Sequence, residues 1–380
     1  MESPKNKVIK TIISKKKLGK QSDHPRNLTR AVLIFLGIFM AATLLGCSTS
    51  VNESKANESK TEPYAYTLIK LPDDGYQSVY DFIDSANKTI DMTMYSLVDS
   101  NAEAALIAAA QRGVNVRVLF NSNASDGGTV GMDQPAFDNL TANGVNVVYS
   151  WPGVLWHQKS IVVDNKRVAI MNCNLVAQYY SVLRDFIVIT DNPATVSGVA
   201  ATFEADYSNN TIAPVAGDVP PGSELVWSPG AEKQFTQMIE SARAGTILYV
   251  ETEQLDSTPI EDALIAAVKR GVTVNFTMTN TPEFTDGFNT LKAGGVNVSL
   301  YPSGAPIYIQ AKAISVNNDT VYIGSTNLTA TSTDNDRNVG IITQNSTVVK
   351  GVISTLISDF EGATPIKLCC TGGRFKSDQI

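Results

Sequence analysis

Two stretches of the chain carry chemically capable side chains in the same order. The first runs His157-Gln158-Lys159-Ser160-Ile161-Val162-Val163-Asp164 and continues to Asn174. The second runs Gln310-Ala311-Lys312-Ala313-Ile314-Ser315-Val316-Asn317 and continues through Gly324-Ser325-Thr326 to Asn327, 153 positions later throughout. Residues i and i+2 of an extended chain face the same way, so His157 shares a face with Lys159, and Gln310 with Lys312. The β-branched runs read as hairpin strands, with Asn174 and Asn327 returning on the neighbouring strands. An imidazole, an ammonium group and an amide brought to one point suit a phosphodiester: the Lys and Asn donors hold the non-bridging oxygens while the imidazole attacks phosphorus. The chain has only two histidines, His24 and His157. One imidazole beside an isolated Cys173 is a poor transition-metal site, so neither a metal nor another cofactor is expected.

These hairpins belong to a longer internal repeat. Arg112-Gly113-Val114 closes one Ala-rich helical stretch and Arg270-Gly271-Val272 closes another; Gly144-Val145-Asn146-Val147 recurs as Gly295-Val296-Asn297-Val298. Each unit is expected to open with a helix ending in Ser-Ala (Ser85-Ala86, Ser241-Ala242), then to alternate strands and helices through the hairpin to a last helix. That alternation implies a layered α/β fold, and two such units meeting at a pseudo-twofold interface would pool their half-sites. The expected divisions are a first repeat over 65–210, a Pro/Gly-rich linker over 211–226, a second repeat over 227–364 and a polar tail over 365–380.

The amino terminus reads as an address. A basic stretch precedes the apolar run Ala31–Leu45, which is shorter than the roughly 20 residues needed to span a bilayer and ends in Leu44-Leu45-Gly46-Cys47. This run resembles a lipoprotein signal: residues 1–46 would be removed, lipid would join Cys47, and 47–64 would form a polar tether at the extracytoplasmic face of the cell membrane. The chain has a formal charge of −7, yet residues 1–46 hold nine Lys/Arg against two acids, so the remainder carries −14. A body that acidic disfavours nucleic acid as a partner.

With His-x-Lys-x4-Asp set in a repeated hairpin, the chain resembles the phospholipase D superfamily from residue 65 to about 360. The resemblance implies two tandem α-β-α sandwich units related by pseudo-twofold symmetry, and a phosphohistidine intermediate. In that family one motif's histidine attacks and the other's protonates the leaving oxygen. The expected catalytic set is His157, Lys159, Asp164, Asn174, Lys312 and Asn327, with Ser325 as an auxiliary donor. The second motif departs from the pattern, with Gln310 in place of His and Asn317 in place of Asp. The acidic position 28 residues after each motif start is Asp185 in the first half and Asn338 in the second. Family logic has that acid orient the histidine of the opposite half, so His157 is expected to face Asn338 and Asp185 to face Gln310. Glutamine cannot give up a proton and take it back, and losing a general acid costs about 10² to 10⁴ in rate, less when the leaving group is stable as an anion. Water, Glu251 or Glu253, on the strand equivalent to Met94–Ser96, would have to supply the proton. The expected function is a membrane-anchored phosphodiesterase acting on phospholipid, for which a monomer suffices. A phosphate-binding lipoprotein without turnover is the alternative, and a metal-independent extracellular nuclease the third.

Overall fold

The repeated Arg-Gly-Val triplets end helices. Ser100–Gln111 and Thr258–Lys269 stop at Arg112 and Arg270, and Gly113 and Gly271 follow with φ of 89° and 91°, a left-handed conformation that glycine adopts without penalty. The turn lets the Val114 amide reach Ala109 O and the Val272 amide reach Ala267 O, both at 3.1 Å, which satisfies the last helical carbonyls. Helix starts are matched as well. Asn192 caps Pro193–Ser208 and Asn345 caps Ser346–Gly362, each through its side-chain oxygen.

The computed structural model describes residues 63–122 and 129–366. The signal-like segment, Cys47, the tether up to residue 62 and the tail from residue 367 lie outside them. No helix among the described residues is long and apolar enough to cross a membrane. The main path of the first sheet runs Tyr66–Leu71, Leu183–Thr190, Arg167–Met171, Ser160–Val163, Thr89–Met94, Asn115–Phe120, Asn146–Tyr149. The second runs Leu225–Ser228, Asn338–Thr343, Thr320–Gly324, Ala313–Val316, Ile247–Glu251, Thr273–Thr279, Asn297–Tyr301, Thr364–Pro365. In both sheets the last three repeat-equivalent strands are parallel and the hairpin side is antiparallel. Each half is therefore the expected layered α/β unit, with one correction. Each opens with a strand (Tyr66–Leu71, Leu225–Ser228) that pairs antiparallel with the unit's last long strand before the helix begins; these edge strands carry no turn signal to separate them from the preceding loop.

Three apolar layers hold the units. One lies under the outer helices of the first half and a second under those of the other half. The third is shared: Val162, Ile170, Phe186 and Val188 of the first sheet pack with Val321, Ile323, Val339 and Ile341 of the second. Val196, Val199, Val352 and Leu356 of the two terminal helices complete it. Burying such side chains contributes about 1.5 to 3 kcal/mol each, and here that energy comes only when the halves are joined.

The hairpin turns correct the reading of Asp164 as catalytic. Asp164 and Asn165 have φ of 55° and 52°, and Asn317 and Asn318 have 57° and 58°, the two left-handed residues of a tight hairpin turn. Asp164 accepts hydrogen bonds from the backbone amides of Asn87 (3.1 Å), Lys88 (2.7 Å) and Thr89 (3.0 Å). Asn317 Oδ1 accepts from Arg243 N at 2.9 Å in the equivalent place. Asp and Asn both tolerate this conformation, so the second motif's Asn317 exchanges one turn residue for another. Asp164→Ala is expected to cost about 2 kcal/mol, from left-handed strain plus the lost capping acceptor, as read by urea unfolding. A loss of turnover greater than the loss of folded protein would return Asp164 to the site.

Candidate functional site

The site forms where the two halves exchange contacts. In the first half, Trp156 bridges in parallel to Arg337 of the second, and the Arg337 amide donates to Leu155 O at 2.8 Å. In the second half, Ile309, at the position equivalent to Trp156, pairs in parallel with Arg184 of the first. The arginines make reciprocal ion pairs deep in the seam. Arg337 meets Asp206 at 2.8 Å and Arg184 meets Asp359 at 2.6 Å, each aspartate lying on the other repeat's terminal helix. Arg337 also lies between the Trp156 and Trp227 rings, 5.6 Å from each, and donates to Val215 O of the linker. This crossed set holds His157, the residue after one bridge, against Asn338, the residue after its arginine, and leaves Gln310 and Asp185 as the residues that follow the other bridge and its arginine.

His157 stands where this arrangement puts it. Its Nδ1 lies 3.0 Å from Ser325 O and 3.2 Å from Asn338 Oδ1. Asn338 Nδ2 donates to Ser332 O at 3.0 Å and Ser325 Oγ donates to Asn338 Oδ1 at 2.9 Å, so the amide oxygen is the atom turned to the ring. Both partners of Nδ1 are acceptors. Nδ1 therefore carries the proton, and Nε2 keeps its lone pair. Burial, then the ammonium groups of Lys159 and Lys312, push the imidazole pKa well below the usual histidine range. The ring is neutral and nucleophilic at neutral pH. An amide at position 338 orients it but lacks the negative charge with which a carboxylate would stabilise an imidazolium.

The two lysines are buried and come from opposite halves. Lys159 Nζ donates to His157 O at 2.6 Å and sits 4.7 Å from the centre of the Tyr95 ring, which also packs edge-on against His157 at 4.8 Å. Burial and the neighbouring Lys312 lower the Lys159 pKa well below its ordinary value. Lys312 Nζ pairs with Glu253 Oε2 at 2.7 Å. The sheet register shifts the strand equivalence by one residue from that read in the sequence. Thr93 opposes Ser160 and Glu251 opposes Ala313, so Glu253 stands in the place of Tyr95. One lysine is thus covered by an aromatic face and the other by a carboxylate.

The remaining candidates divide. Asp185 is fully buried with neither carboxylate oxygen hydrogen-bonded, and burial, partly offset by Lys312 and Lys159, raises its pKa to about 8. The backbone N–H of Gln310 donates to Arg184 O at 3.3 Å, and its side-chain Oε1 is buried without a partner. Asn174 and Asn327, equivalent by the repeat, each hold a buried amide oxygen without a partner. Ser325 serves through its carbonyl and hydroxyl on His157 and Asn338. Glu251 is buried with neither carboxylate oxygen hydrogen-bonded, and burial, then the nearby Asp359, raise its pKa well above the usual carboxylate range. Cys173 is a buried member of the first core. Three contributors escaped the sequence reading. Asn172, at the position of Ser325, donates to Lys312 O and Gly324 O and accepts from the Phe186 amide. The others are Arg184 and Arg337, whose signal was the arginine directly before the acidic position in both repeats.

The arrangement can take an anionic tetrahedral group between two lysines with a free imidazole lone pair at its side, which is the requirement for covalent transfer at phosphorus. A family model described as "Cardiolipin synthase, PLD-like domain" matches residues 79–207 and 235–360, one copy per half. "Probable cardiolipin synthase YwiE" of Bacillus subtilis (strain 168) is 27% identical over 132 residues, 34% of this chain, and the match spans 26% of that relative's length. Among solved structures, phosphatidylserine synthase of Haemophilus influenzae Rd KW20 superposes with a TM-score of 0.59 at 13% identity, over 80% of this chain and 87% of that one. Polyphosphate kinase of Porphyromonas gingivalis superposes with a TM-score of 0.58 at 17% identity, over 77% of this chain and 50% of that one. Two α/β units with crossed half-sites, together with two matches to one family model, place the chain in the phospholipase D superfamily.

Proposed function

We propose that the protein is a phosphodiesterase acting on phospholipid at a membrane surface through a phosphohistidine on His157. The observation that carries this reading is that His157 Nδ1 faces two acceptor oxygens, which assigns the proton to Nδ1 and leaves Nε2 free beside two buried lysines from opposite halves. In the first step Nε2 bonds to phosphorus as the ester P–O bond breaks; in the second, water takes the phosphoryl group and the N–P bond breaks. Lys159 and Lys312 hold the non-bridging oxygens in both, with Asn174 and Asn327 supplying amide donors. The matched family's description and the name of the Bacillus relative favour a lipid phosphodiester as substrate. A lipid on Cys47 would keep the site at the extracytoplasmic face of the membrane, and the acidic body argues against nucleic acid.

The test is a quench at alkaline pH, where phosphohistidine survives, after mixing purified mature protein with phospholipid carrying labelled phosphate. The expected result is label on the peptide containing His157 together with release of headgroup. Phospholipid that binds without label or release would instead favour a non-catalytic binding protein, the reading to which Gln310 and Asn338 lend weight.

A further inference from the structure

The second half-site has no histidine, yet its surroundings are not those of a dead site. The crossed contacts of the seam come in symmetric pairs: Trp156 with Arg337 and Ile309 with Arg184, then Arg337 with Asp206 and Arg184 with Asp359. One step beyond the first bridge, His157 meets Asn338 at 3.2 Å. One step beyond its symmetry mate, Gln310 comes abreast of Asp185. In the first pair an N–H meets an amide oxygen. In the second, three oxygens are left over: Gln310 Oε1 and both oxygens of Asp185 are buried with no hydrogen-bond partner. A carboxylate facing an amide oxygen repels it, whereas a carboxylic acid facing the same oxygen makes a hydrogen bond and satisfies two of the three.

We propose that a neutral Asp185 donates its O–H to Gln310 Oε1 and so turns Gln310 Nε2–H toward the departing oxygen, making the pair a hydrogen-bond donor, not a proton donor, in the place of the second histidine. Burial holds the Asp185 proton to about pH 8. Lys159, Lys312, Glu253, Arg184, Cys173 and Tyr76 are the ionisable groups around it. Glu253 is committed to Lys312. The inference rests on the phosphodiesterase reading and narrows its substrates. The P–O bond breaks with its electron pair on the leaving oxygen, which departs as an anion steadied by Nε2–H and collects its proton from solvent. In the second step the attacking water loses its proton to solvent. The site then favours leaving groups that are weak bases, such as phosphomonoester, phosphatidyl or aryl oxygens, over simple alkoxides. Asp185 is a positioning residue in this scheme.

The test combines a substrate series with three variants. Wild-type rates on aryl phosphodiesters should rise steeply as the leaving phenol becomes more acidic, and should fall above about pH 8 as Asp185 ionises. Asp185→Ala should lose about tenfold on every member of the series. Asp185→Asn, whose amide can still donate to Gln310, should recover most of that loss and lack the alkaline fall; Lys159 titrates in the same pocket, so the variant and not the midpoint assigns the limb. Infrared difference spectra of the unliganded protein at pH 7 should show a carboxylic-acid carbonyl band that Asp185→Asn lacks. Absence of that band, an unchanged alkaline limb in Asp185→Asn, or a rate independent of the leaving group overturns the proposal. Turnover that survives in His157→Ala would sink the phosphohistidine reading while leaving the infrared result for Asp185 standing.

Discussion

His157→Ala is expected to bring phosphodiester turnover down to the uncatalysed background, a loss of about 10⁴ or more, the scale found when a covalent nucleophile is removed. The size follows from the absence of a substitute. His24, the other histidine of the sequence, lies in the signal-like segment, and neither Gln310 nor Asn338 can form the N–P bond. The variant should fold, because the ring gives up only its Nδ1 hydrogen bonds to Ser325 O and Asn338 Oδ1 and its edge contact with Tyr95, worth about 1 to 2 kcal/mol together. Headgroup release measured with circular dichroism on the same preparation separates the two effects. In the wild type, the acid limb of the pH profile should fall below the ordinary histidine range, since burial and two lysines keep the imidazole unprotonated. Residual turnover above about 1% in a folded His157→Ala would mean that some other group attacks phosphorus.

Arg337→Met should destabilise the protein by about 3 to 5 kcal/mol at neutral pH, the cost of leaving a buried charge without its partner. Arg337 is wholly buried and Asp206 nearly so. The pair is not a simple stabiliser. Burial raises the Asp206 pKa to about 6 even with the guanidinium beside it, so desolvation outweighs the attraction, and the pair's contribution is to fix register. Two consequences separate this from loss of bulk. An acid whose folded pKa lies above its unfolded value weakens the fold as pH rises through that range. Without Arg337 the Asp206 pKa rises further, so the Arg337→Met penalty should be smaller at pH 5 than at pH 7.5. Replacing both partners, Arg337→Met with Asp206→Leu, should recover most of the stability. Turnover should recover less, because the cation held between Trp156 and Trp227 helps position His157 against Asn338. Denaturant titrations at the two pH values check the first claim, and kcat of the double variant the second. A penalty indifferent to pH would show that packing, and not the buried carboxylate, dominates.

The legible part of this protein was whatever depends on neighbours in the chain. The Arg-Gly-Val triplets announced helix ends because a left-handed residue after a helix calls for glycine. The β-branched runs after His157 and Gln310 announced hairpins because alternate side chains must fill both faces of a buried sheet. The equal spacing of the two motifs was enough to foresee paired half-sites, and the resemblance to the phospholipase D superfamily, carried by those motifs, implied that His157 faces Asn338. Asp164 stood between two readings, catalysis and support of the hairpin turn, for a local reason. Its place in the motif suggested chemistry, whereas its left-handed backbone and three amide donors give it to the turn, and only dihedral angles distinguish the two. The opening strands Tyr66–Leu71 and Leu225–Ser228 escaped notice because an edge strand takes its partner from more than a hundred residues away.

Composition, periodicity and repeat spacing by themselves determined two α/β units and paired motifs holding one imidazole and two lysines between them, the second motif without its histidine. Tertiary structure alone decided which atoms of those groups meet. The tautomer of His157 depends on an amide oxygen 181 positions away. The cover over each lysine depends on a sheet register that differs by one residue from the apparent repeat. The isolation of the Asp185 oxygens depends on a seam whose ion pairs join opposite halves. Local preference acts over a few residues, but hydrogen-bond direction and desolvation are properties of the packed interface, and they come into being only when the two halves close on each other.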